Sequence, residues 1–123
     1  VFETVGTVHE VPEDQIDALT SISGSGPAYV FYLIEKLTEA GIARGLDPAL
    51  AGALAAETFA GASALLAETD LDPAELRRRV TSPGGTTARA IEVFDDRGVG
   101  EIIDVATAAA AARAAEMAAT ARP

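Results

Sequence analysis

Ser23-Gly24-Ser25-Gly26-Pro27-Ala28-Tyr29 is the stretch on which the choice of fold turns. Gly24-Ser25-Gly26 opens like a dinucleotide-binding turn, which in an α/β domain joins a strand to a helix. Tyr29 stands where the third glycine belongs, no strand-like run precedes the turn, and no βαβ unit surrounds it. A P-loop is excluded as well, because no Gly-Lys-Ser or Gly-Lys-Thr follows. The stretch reads instead as a break between two helices, with Pro27 in a first helical turn, where its missing N–H costs nothing. A close helix crossing and a direct ligand role both remain open for it. The fold class that follows is all-α, a helical bundle.

Outward from this break, Val1 to Pro12 reads as an extended lead-in and residues 13–123 as the helical domain. Pro12-Glu13-Asp14-Gln15 opens a short helix, Ile16 to Ile22, with acidic residues where the helix dipole favours them. On the other side a helix is predicted from Pro27 to about Ala43. Its segment from Ala28 to Ile34 is apolar on every side, so it must be covered on every side. In so short a chain that points to a second copy. Gly41 and Gly45 end this helix, and Asp47-Pro48 starts the next, from Asp47 to about Thr69. Along it Gly52, Ala53, Ala56, Ala60, Gly61 and Ala64 form a low surface that another helix can approach. Asp72-Pro73 repeats the start signal for a helix from Pro73 to Val80. Its Arg77, Arg78 and Arg79 could serve a phosphate or carboxylate but read more simply as a solvated face. Two further helices are predicted, Thr86 to about Asp96 and, after a break at Gly98 and Gly100, Glu101 to about Ala119.

Composition narrows the function. The chain has 123 residues with 27 alanines, no cysteine and one histidine, so disulfides, Cys-based metal sites and His-rich metal sites are excluded. A net charge of −10 argues against nucleic-acid binding. The apolar runs are broken by Glu57, Glu68 or the glycine–proline break, and none reads as a membrane span. Val1-Phe2-Glu3 lacks a basic n-region, so no signal peptide is expected, and the expected location is the cytoplasm. Carboxylates form no convincing acid/base pair, and His9 has no nucleophile beside it.

Thr81-Ser82-Pro83-Gly84-Gly85-Thr86-Thr87 is the one stretch with organised chemistry. It feeds the amphipathic helix Ala88 to Phe94, so it lies against a helix N-terminus with unpaired N–H groups and partial positive charge. Such a loop either binds an anion or simply caps the helix, since Ser and Thr are ordinary caps.

Asp17 to Tyr29, Glu39-Ala40-Gly41 with Gly45-Leu46, and Val80 to Thr87 together closely resemble the C-terminal domain of pyrroline-5-carboxylate reductases. The resemblance runs across nearly the whole chain. It implies an all-α domain that forms an interlocked homodimer, with dimers often assembling further, and an enzyme that reduces 1-pyrroline-5-carboxylate to proline with NADPH or NADH. It also implies a Rossmann domain for NADP or NAD, which this sequence lacks, so the chain is expected to be a fragment that is inactive alone. By similarity, the substrate carboxylate is held by the Ser82 hydroxyl and by backbone N–H groups of Gly84, Gly85 and Thr86. The Thr87 hydroxyl reaches the ring nitrogen as the catalytic group, through orientation or relay of a proton. Gly24 to Pro27 is expected at a close helix crossing. Two alternatives stand beside this: a non-catalytic helical dimerisation or interaction module, and a hydroxy-acid dehydrogenase of similar build. The second would rely on a lysine, and Lys36 is the only one.

Overall fold

The computed structural model describes residues 7–121; the first half of the lead-in, 1–6, and the last two positions, 122–123, lie outside them. Among the described residues every regular element is helical. The chain divides into two compact units, Val1–Pro27 with Glu101–Pro123, and Ala28–Gly100.

In the first unit, residues 7–12 carry no helix. A 3-10 turn, Glu13–Gln15, leads into α1, Ile16–Leu19. The sequence predicts a single helix to Ile22; the structure instead has a π-helical turn over Thr20–Gly24. Its signature is the Ser25 N–H, which donates to the Thr20 carbonyl at 2.9 Å, five residues back. The cause lies in the hydroxyls. Thr20 donates to the Ile16 carbonyl at 2.8 Å, Ser21 to Ala18 at 2.7 Å and Ser23 to Leu19 at 3.1 Å, each competing with the backbone ladder. A β-carbon on Gly24 would meet only its own turn, Thr20 Cγ2 at 3.3 Å, and one on Gly26 would meet nothing within 4 Å. The helix crossing expected at these glycines is therefore not formed within the described chain.

The last helix, α6, spans Val99–Thr120 and so starts two residues before the predicted Glu101. Gly98, at φ +69°, makes the break; Gly100 is inside the helix. From Glu101 onward α6 belongs to the first unit, and its Ile102, Ile103 and Val105 are exposed.

The second unit is built from α2 (Gly26–Ala43) from Ala28 onward, α3 (Pro48–Ala67), α4 (Pro73–Arg79) and α5 (Thr86–Asp96). Capping chemistry sets the boundaries. Asp47 accepts from the Ala49 and Leu50 N–H groups at 3.0 and 3.3 Å, and Asp72 from the Glu75 N–H at 2.8 Å. At the end of α2, Gly45 (φ +94°) donates to Ile42 at 2.9 Å and Leu46 donates to Gly41 at 3.2 Å. This pairing lets the chain reverse after the helix with its last carbonyls satisfied. Gly41 then faces α3, where a β-carbon would stand 3.2 Å from that of Ala51. The close approach of α2 and α3 runs through Gly41 and Ala51, whereas the predicted low surface remains uncovered from Ala53 through Ala64.

Ala51 and Ala55 are the only buried hydrophobic residues among those described. Phe31 is 69% exposed and Tyr32 59%. Among the described residues, the all-round apolar start of α2 thus lacks the cover that its composition demands. α3 is long and apolar enough to cross a membrane by length and composition, with a mean hydropathy of 1.5. A helix enclosed by protein has the same composition, and Glu57 sits at its middle.

Candidate functional site

Ser82 to Gly85 forms a tight turn, closed by the Gly85 N–H donating to the Ser82 carbonyl at 3.0 Å. Pro83 occupies its second position and Gly84, at φ +69°, its third, the residue pair that a type II turn demands. Gly85 has an ordinary negative φ of −79° and serves as N-cap of α5, with no side chain capping the helix. The plain helix-cap role open to the loop's hydroxyls is therefore not what they do. Among the described residues, no backbone or side-chain acceptor takes the N–H groups of Thr86, Thr87 or Ala88. The Gly84 N–H is likewise unengaged. The expected use of the Gly85 N–H differs: it is consumed by the turn. What Gly85 contributes is room, because a β-carbon there would strike Ser82.

The four hydroxyls divide. Thr81 donates to the Arg77 carbonyl and so finishes α4. The hydroxyls of Ser82, Thr86 and Thr87 have no hydrogen-bond partner among the described residues. Ser82 and Thr86 are exposed, while Thr87 is half-buried. Thr87 lines a cavity of about 430 Å³ between α3, α4 and α5, together with Ser63, Leu66, Arg77, Val80 and Ile91.

The three arginines of α4 are not equivalent. Arg78 grips Glu75 with two bonds of 2.7 and 2.8 Å, and Arg79 adds a third at 2.8 Å. These bonds, first from Arg78 and then from Arg79, hold the Glu75 carboxyl below its usual range. Arg77 makes no ion pair among the described residues. As a run of three arginines they look alike, yet their spacing from Glu75 separates them. Positions three and four after Glu75 face it on a helix, and position two does not.

Lys36 Nζ lies 2.9 and 3.0 Å from the Glu39 carboxylate oxygens, 3.1 Å from Glu35 and 5.3 Å above the Tyr32 ring. Hydrogen bonds to Glu39 and then Glu35 hold its ammonium protonated well above the ordinary lysine range. It is no base at neutral pH. A second cavity of about 540 Å³ is walled mainly by apolar residues, among them Leu37, Leu54, Val93 and Phe94. No group of three or more metal-ligating side chains occurs among the described residues.

Residues 13–117 match the family model described as pyrroline-5-carboxylate reductase dimerisation. The chain is 42% identical over 134 residues to pyrroline-5-carboxylate reductase of Mycobacterium leprae, covering 95% of this chain and 46% of that protein. It superposes on the structure of a pyrroline-5-carboxylate reductase from Coxiella burnetii with a TM-score of 0.87 at 42% identity, covering 91% of this chain and 42% of that one. For Plasmodium falciparum pyrroline carboxylate reductase with NADP bound, the TM-score is 0.84 at 33% identity, with 91% and 45% covered. The chain thus spans less than half the length of the relatives it matches. With all of its described regular elements helical and the family match running over most of its length, the chain belongs to the pyrroline-5-carboxylate reductase dimerisation family.

Proposed function

We propose that this chain is the substrate-binding and dimerisation part of a pyrroline-5-carboxylate reductase, which forms proline from 1-pyrroline-5-carboxylate at the expense of NADPH or NADH. The observation that carries the reading is the start of α5: unpaired N–H groups beside the free hydroxyls of Ser82 and Thr87. A carboxylate is the complement of such a terminus. It would accept from Ser82 and from the Gly84 and Thr86 N–H groups, with Gly85 leaving the approach clear. Thr87 would face the ring nitrogen. Reduction of a C=N bond needs a proton at nitrogen, and a threonine hydroxyl is too weak an acid to supply one at neutral pH. Its role is to orient the ring or relay a proton from water.

The hydride is the nicotinamide's contribution. Gly24 to Tyr29 joins a π turn to α2 rather than a strand to a helix, which supports placing the binding of that cofactor mainly elsewhere. NADP or NAD is therefore assigned to a separate Rossmann domain, and residues 13–123 alone should not reduce the imine. Lys36, tied to two carboxylates, gives no support to a hydroxy-acid dehydrogenase. The cover missing from Phe31 and Tyr32 is assigned to a second copy, in an interlocked homodimer that can assemble further. A cytoplasmic location, with no nucleic-acid or membrane partner, completes the reading.

The test is a titration of the ¹⁵N-labelled chain with L-proline. Shifts in the amides of Gly84 to Thr87 are expected. Silence there, with the chain folded and dimeric, would favour a non-catalytic dimerisation module.

A further inference from the structure

We infer that Arg77 is an anion-recognising residue of the Thr87 cavity, contacting the carboxylate of a small cyclic imino acid whose ring lies against Leu66, Val80 and Ile91. This rests on the reading above and adds a residue to it. Three observations meet here. First, Arg77 and Thr87 line one cavity of about 430 Å³, in which Ser63 is the other polar residue and Arg77 the one charge. An apolar chamber with one cation and two hydroxyls complements a ligand made of methylenes plus one anionic group.

Second, Arg77 is the α4 arginine that forms no ion pair among the described residues. Asp72 accepts from the Glu75 N–H at 2.8 Å, and Glu75 is held by Arg78 and Arg79 at 2.7 and 2.8 Å. In a chain of net charge −10, Arg77 lines the Thr87 cavity and also the neighbouring one that holds Asp72 and Glu75. Third, the Arg77 carbonyl accepts from the Thr81 hydroxyl, so the residue's backbone is tied to the loop that presents Ser82 and Thr87. A guanidinium offers two parallel N–H groups to a carboxylate, which fixes the ligand's orientation as well as its charge. Because Arg77 is exposed, screening limits its effect, and the contact should weaken as salt is added.

Tetrahydrofuran-2-carboxylate, an anionic five-membered ring without an ammonium group, is the probe, and its neutral amide is the control. Binding is followed through the backbone amides of Gly84 and Thr86 at low and high salt, in the unaltered chain and in Arg77→Gln, Arg77→Lys and Thr87→Val. Arg77→Gln should weaken the carboxylate about five- to tenfold and flatten its salt dependence, with Arg77→Lys intermediate and the neutral amide unaffected. Equal affinity and salt dependence in Arg77→Gln would overturn the inference. If Thr87→Val alone abolishes binding, the substrate site stands without Arg77. If the unaltered chain binds no carboxylate, both fall. Circular dichroism of each variant separates lost contact from lost fold.

Discussion

A β-carbon on Gly85 would stand 2.5 Å from the Ser82 hydroxyl oxygen and 3.1 Å from the Ser82 carbonyl oxygen. The hydroxyl could rotate away, but the carbonyl is backbone and already accepts the Gly85 N–H. Gly85→Ala therefore needs the Ser82 hydroxyl to rotate and the turn to shift by a few tenths of an ångström. A loss of about 1–3 kcal/mol in denaturant unfolding is expected, the range for forcing atoms into filled space, together with loss of the proline-induced shifts.

Gly84→Ala meets no steric neighbour within 4 Å, yet it places a side chain at φ +69°. The expected cost is about 1–2 kcal/mol, from the left-handed backbone alone. Because nothing is crowded, the fold should survive, and urea titration would record a shifted midpoint at unchanged slope.

Phe31→Ser tests the homodimer. At 69% exposure, this change would hardly affect a monomer, since surface substitutions usually fall within about 0.5 kcal/mol. If a second copy covers α2, sedimentation should show dissociation at concentrations where the unaltered chain stays dimeric, with a fall in thermal stability that depends on protein concentration.

Asp47→Ala removes the acceptor of two N–H groups at the start of α3. A loss of about 1 kcal/mol is expected, measured by chemical unfolding, with Asp47→Asn retaining most of it.

Glu75 gives a pH dependence. Its carboxyl is held below its usual range by Arg78 and then Arg79. Its stabilising contribution is therefore complete above the unfolded value, near pH 4.3, and disappears as pH falls through the lower folded value. Glu75→Gln should be slightly less stable than the unaltered chain at pH 7, and the difference should vanish in strong acid. Thermal melts at both pH values read it directly.

Much of this was visible in local chemistry. Asp47-Pro48 and Asp72-Pro73 act within three residues of themselves, so the starts of α3 and α4 need no tertiary information. Pro83-Gly84 specifies its turn in the same way, and α5 runs over the predicted Thr86 to Asp96. The π turn was hidden because three hydroxyls and the backbone compete for the same carbonyls, and composition does not say which prevails. Gly98 and Gly100 were ambiguous because either could take the positive φ that restarts the chain. The small residues from Gly52 to Ala64 draw attention away from the close approach at Gly41 and Ala51. A stripe of glycine and alanine says where a helix can come close, while the length of the preceding reversal decides which of them it meets.

The Ser82 to Gly85 turn has a thermodynamic consequence. Pro83 has one torsion fixed covalently, Gly84 sits in a well it enters freely, and the Gly85 N–H closes the ring. The ordering entropy of these residues, about 1–2 kcal/mol for each backbone unit, is spent when the chain folds. A ligand arriving at α5 then meets a preorganised rim. Calorimetry should accordingly show association without the large unfavourable entropy that accompanies a loop closing around its guest.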